Sequence, residues 1–86
     1  MQKQNIKTYN MSTLGEKRVR VDFNTTGNTF VDTIKRDAAK LIDLVDSAAS
    51  DPSWSEEKTR EYLRLKALAL TSLEEAAMWA VKSATI

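Results

Sequence analysis

The sequence predicts a mostly α-helical fold: an antiparallel helical hairpin with a short N-terminal strand or extended arm, assembled as a homo-oligomer. Three observations predict it. Apolar residues recur at steps of three and four along two long stretches, the spacing that puts them on one helix face. One break, Ser50-Asp51-Pro52-Ser53, separates the stretches; proline disfavours helix at the residue before it and suits a helix start. The second stretch carries two apolar flanks, more than a single partner helix covers, and a chain of 86 residues without cysteine or histidine has neither disulfides nor the usual zinc ligands to staple it. The expected organisation is one domain over residues 1–86, with an arm over 1–28, a first helix over 29–49 and a second over 53–85.

In the arm, Arg18-Val19-Arg20-Val21-Asp22-Phe23 alternates polar and apolar residues, as a half-buried strand does. Gly15 precedes it, and Asn24-Thr25-Thr26-Gly27-Asn28 closes it with turn chemistry. A lone strand needs a pairing partner, and a second copy across a symmetry axis is available.

In the first helix, Phe30, Val31, Ile34, Ala38, Leu41, Ile42, Val45 and Ala49 form the apolar face, widened by Ala39 and Leu44. Asn28 or Thr29 caps it, Asp32 suits the positive end of its dipole, and Lys35, Arg36 and Lys40 lie on its first half. Ser53 and Glu56 read as a capping box for the second helix. There Leu63, Ala67, Leu70, Leu73, Ala77, Val81 and Ala84 form one stripe, and Tyr62, Leu65, Ala69, Ala76 and Trp79 form another flank. Glu56, Glu57 and Glu61 face Arg60, Arg64 and Lys66 at spacings that make solvated ion pairs.

Composition excludes several function classes. Without histidine or cysteine the usual general base and thiolate chemistry are missing, and Asp32, Asp37, Asp43 and Asp46 are spaced as surface acids, so an enzyme is not expected and no cofactor is implied. No apolar run approaches the roughly 20 residues that span a bilayer, and the polar start is unlike a signal peptide, so a cytoplasmic protein with no membrane partner is expected. The net charge is only +1, although bases outnumber acids up to Lys40. That balance suits a small, highly charged anion better than a DNA or RNA duplex.

Near the end of the chain Trp79 and Lys82 share a helix face three residues apart, a ring and a cation able to hold a planar anion. The ordinary alternative is that Trp79 packs in a helix interface while Lys82 answers the helix C-terminus. Arg18 and Arg20, at alternate positions, offer bidentate phosphate contacts or form a solvated strand face. Asn24 reads a base edge or builds a turn.

Arg-Val-Arg-Val-Asp-Phe-Asn, Ile34-Lys35 leading into Ala38-Ala39-Lys40-Leu41-Ile42-Asp43, and Glu75-Ala76-Ala77-Met78-Trp79-Ala80-Val81-Lys82 together resemble the helical-hairpin domain of phage anti-CBASS and anti-Thoeris sponge proteins. The likeness covers residues 15–85. It implies helical oligomers, with a hexamer favoured and a dimer or tetramer as alternatives, that sequester cyclic di- or trinucleotides or related nucleotide signals without cleaving them. It also implies that Lys35 contacts ligand phosphate and base, and that Lys82 contacts a larger cyclic ligand at a second kind of site. The family's stacking aromatic has two candidates, Tyr9 and Phe23. A second function class stands beside this one: a small oligomeric scaffold or inhibitor that binds a host protein through an apolar helix flank.

Overall fold

The computed structural model describes residues 12–20 and 28–86. Among them are three helices and no strand: α1 (Leu14–Val19), α2 (Thr29–Ser47) and α3 (Glu56–Ala84). Of the expected N-terminal strand, Arg18 and Val19 are helical and Arg20 is the C-cap of α1, which corrects the strand reading over those residues; Val21, Asp22 and Phe23 lie outside the described residues.

The local cause is a capping box that outweighs the alternating pattern. The Glu16 N–H donates to Thr13 Oγ1 at 3.0 Å and the Thr13 N–H donates to Glu16 Oε1 at 3.0 Å, so two orphan donors are satisfied reciprocally. A helix of six residues is too short to stand on propensity, and tertiary contacts hold it. The Gly15 N–H donates to Asp43 Oδ1 of α2 at 2.7 Å, so Asp43 anchors the N-terminal turn of α1 and is not merely a surface acid. A Cβ on Gly15 would meet Ala39 Cα at 2.8 Å and collide with its carbonyl, so glycine is what lets α1 lie against α2.

Helix α2 starts where Asn28 Oδ1 accepts from the Phe30 and Val31 N–H groups, which resolves the cap in favour of Asn28. Its buried side chains are Val31, Lys35, Ala39 and Ile42, one stripe at helical spacing. After Ser47 the chain turns: the Trp54 N–H bonds the Asp51 carbonyl at 3.0 Å, and Asp51 Oδ1 accepts from both the N–H and the hydroxyl of Ser53 at 2.8 Å. Ser53 is therefore committed to the turn. The N-cap of α3 is Ser55, whose hydroxyl accepts from the Lys58 N–H at 3.1 Å, a correction to the expected Ser53–Glu56 box. The 29 residues of α3 make a rod of roughly 44 Å at 1.5 Å per residue.

Contacts at both ends make α2 and α3 antiparallel. Lys66, early in α3, donates to the carbonyls of Asp46 at 2.8 Å and Ala48 at 2.7 Å, the orphan acceptors at the end of α2. Val81, late in α3, lines the same groove as Lys35, early in α2. The core is small: Val19, Ala39, Ile42, Leu70 and Ala77 are buried together, flanked by Leu14, Ala38, Val45 and Leu73. Among the described residues, only Ile42 of the large side chains is fully enclosed. Many apolar side chains of the expected stripes face outward instead, including Leu44 at 67 % exposure, Leu63 at 51 % and Leu65 at 50 %. None of the described helices is long and apolar enough to cross a membrane.

Candidate functional site

A groove of about 580 Å³ opens where the C-terminal end of α1 lies over α2 and α3, within the roughly 300–1,000 Å³ typical of small-molecule sites. Arg18, Val19 and Arg20 form one wall, and Lys35 lines it from α2. The α3 wall carries Thr71, Glu74 and Glu75, with Met78 and Val81 as its apolar part. Two cations at the end of α1 and a third from α2, distant from them along the chain, thus converge in one concavity.

Their geometries differ. Arg18 is half-buried, and its Nη1 pairs with Glu74 Oε1 at 3.3 Å, which ties α1 to α3 and aims the guanidinium along the groove. Arg20 is exposed, and as the C-cap of α1 it adopts the left-handed conformation with φ 56°, its N–H donating to the Glu16 carbonyl. Lys35 is 7 % exposed and donates from Nζ to the Arg20 carbonyl oxygen at 3.1 Å. An ammonium placed on an orphan carbonyl answers both the buried charge and the negative end of the short helix. Lys35 therefore both carries charge in the groove and holds shut the helix that forms its wall.

Trp79 and Lys82 stand on the solvent side of α3, outside the lining of this groove. Lys82 Nζ is 5.5 Å from the centre of the Trp79 ring, a cation–π arrangement, and the Trp79 Nε1–H points to Glu75 Oε2 at 3.4 Å. Trp79 is 54 % exposed, so within one chain it does not pack in a helix interface. Glu75 connects the two places, since it also lines the groove. Tyr9, Phe23 and Asn24 lie outside the described residues.

Sequence reasoning missed Thr71, which carries no charge to single it out, and Glu74 and Glu75, because acids are unexpected where anions are expected. The signal that pointed toward Glu74 was the Thr13-to-Glu16 capping box: once Arg18 is helical, a packed helix can supply its partner. A second concavity, about 500 Å³, lies at the start of α3 between Trp54, Lys58, Tyr62 and Leu65. Trp54 and Tyr62 meet edge to face at 5.5 Å, and Lys58 Nζ sits 4.7 Å from the Trp54 ring centre. Beside it Arg64 grips Glu61 through two bonds of 2.9 and 2.8 Å, holding the Glu61 carboxyl below its usual range by that hydrogen bonding. No expected site residue lies there. Among the described residues, no group of three or more acids is placed to hold a metal ion.

No curated protein and no solved structure is similar enough to this chain to count as a match. The family model described as "Acb2/Tad1, hairpin domain" matches residues 16–85, which takes in all of α2 and α3, most of α1 and every groove residue. A match over that span shows that the chain belongs to the Acb2/Tad1 hairpin-domain family, the anti-CBASS and anti-Thoeris sponges.

Proposed function

We propose that this chain sequesters a cyclic oligonucleotide or related nucleotide immune signal, without cleaving it, in the cytoplasm of an infected host. The observation that carries the reading is the convergence of Arg18 and Arg20 from the C-terminal end of α1 with Lys35 from α2 on one groove, in a chain of the sponge family. Phosphate is the ligand group that such a set fits. Arg18 and Arg20 can each present a planar fork to phosphate oxygens, while Lys35 adds a point charge. Release of the Arg18–Glu74 pair, or its reorientation, frees the guanidinium for ligand; the pair is half exposed and costs little to rearrange.

Assembly is the second half of the proposal. Leu44, Leu63, Leu65 and Leu68 are each at least half exposed, and one hairpin leaves them uncovered. Burying apolar area of this extent between copies stabilises them by about 25 cal/mol per Å², and a closed symmetric oligomer presents each groove residue again across an axis, matching a ligand with repeated phosphates and bases. A hexamer is the expected state, with Lys82 and Trp79 contributing at a second site for a larger cyclic ligand. Tyr9, Phe23 and Asn24 are proposed to complete the contacts to bases.

The exposed apolar flanks equally suit a scaffold that captures a host protein, so the test must read ligand and not only assembly. Thermal shift against a panel of cyclic di- and trinucleotides at micromolar concentration separates the two, since a ligand that binds only the folded state raises the melting temperature. Intact ligand recovered after heating the complex supports sequestration. Linear nucleotide in its place, or no shift with any member of the panel, overturns it.

A further inference from the structure

We infer that Glu75 reads the Watson–Crick edge of a guanine, so that the site prefers guanine-containing cyclic dinucleotides; this rests on the nucleotide-binding reading above. Among the described residues, two carboxylates line a groove whose other charged residues are Arg18, Arg20 and Lys35. Glu74 is accounted for, because it holds Arg18 at 3.3 Å. Among the described residues Glu75 has no such partner: its contact is the Trp79 Nε1–H at 3.4 Å, long for a hydrogen bond, and Oε1 takes no part in it.

A carboxylate beside bound phosphates weakens binding by like-charge repulsion, a cost recovered only where the ligand brings N–H donors to it. The bases differ sharply in this respect. Guanine presents N1–H and the N2 amino group side by side, two parallel donors that match the two oxygens of a carboxylate. Adenine and cytosine each place a ring nitrogen acceptor beside their amino group, and uracil flanks its single N–H with two carbonyl oxygens, so each turns at least one acceptor toward the carboxylate. The indole N–H sets the carboxylate beside Trp79, whose half-exposed ring offers an aromatic surface at the same place. Glu75, at the boundary between the groove and Trp79, is thus positioned to discriminate among bases held near the cationic wall.

The test compares cyclic dinucleotides carrying two guanines, one guanine and one adenine, or two adenines, by calorimetry on the full chain and on Glu75→Gln. Glu75 is exposed, so the variant keeps its fold, checked by circular dichroism. The expected result is a preference of about tenfold or more for guanine-containing ligands, the size of one good bidentate base contact, which Glu75→Gln reduces to near parity while affinity for the two-adenine ligand stays the same or rises. Equal affinity of the unaltered chain for all three ligands, or a preference that survives in Glu75→Gln, overturns the inference and leaves sequestration standing. Failure of all three ligands to bind either protein overturns the inference, and sequestration falls with it only when the wider panel of cyclic di- and trinucleotides also gives no thermal shift.

Discussion

Lys35 Nζ donates to the carbonyl oxygen of Arg20 at 3.1 Å, so the buried lysine of α2 closes the C-terminus of α1. This relation joins the stability of the groove to its charge. Lys35→Met keeps most of the packed stem and deletes the bond, leaving the Arg20 carbonyl without that donor. The expected loss is roughly 1–3 kcal/mol, the worth of a hydrogen bond from a charged donor, read as a lower urea midpoint. Faster proteolysis around Arg18 and Arg20 should accompany it, because α1 then opens locally. An unchanged midpoint would mean that the bond does not hold α1 in place.

Gly15 controls the approach of the same helix from its other end. With the Ala39 backbone in the way, Gly15→Ala must push α1 off α2 and stretch the 2.7 Å bond from the Gly15 N–H to Asp43. Overpacking against backbone costs about 1–3 kcal/mol, even though alanine is ordinarily the better helix former. Chemical denaturation decides between these effects: the variant should be less stable, and a gain would show that α1 does not dock as described.

How much of this was legible in the sequence follows from which forces are local. The two long helices announced themselves because Val31, Ala39 and Ile42, and likewise Leu70 and Ala77, repeat at helical spacing, and because Pro52 breaks the pattern between them. The short helix did not, since Arg18-Val19-Arg20-Val21 alternates like a strand while the contacts that keep α1 helical, Gly15 to Asp43 and Arg20 to Lys35, span long stretches of chain. The cap of α3 went to Ser55 for a related reason: Asp51 already engages Ser53, and no periodicity reports that competition. Arg18, Arg20 and Lys35 were singled out one by one from the sequence, and the fold brings all three to the groove. Their acidic neighbours Glu74 and Glu75 were not, because they belong to the groove only once α1 lies on α3.

The turn supplies a prediction about pH. Hydrogen bonds from the backbone N–H and the hydroxyl of Ser53 hold the Asp51 carboxyl below the usual aspartate range, the backbone bond contributing more. A depressed carboxyl contributes stability that is present above its unfolded-state pKa and is lost as pH falls through the folded-state value. Ser53→Ala removes one of the two bonds, so the Asp51 titration observed by carbon NMR should move up toward the ordinary value without reaching it. A titration that does not move would show that the hydroxyl bond adds nothing.

Tyr62 carries the last prediction. Its phenolic oxygen is buried and has no hydrogen-bond partner among the described residues, whereas its ring is well used, edge to face with Trp54 at 5.5 Å and 5.9 Å from Lys66 Nζ. A buried hydroxyl without a partner carries its desolvation cost uncompensated. Tyr62→Phe keeps the ring contacts and removes that cost, so stability should hold or rise by up to about 1 kcal/mol, whereas Tyr62→Ala forfeits the aromatic pair and should lower the midpoint clearly. The measurement is informative in both directions. If Tyr62→Phe instead loses about 1 kcal/mol or more, the hydroxyl is bonded in solution, and repeating the measurement across protein concentrations tells whether the acceptor belongs to a neighbouring copy, because only then does the loss depend on assembly.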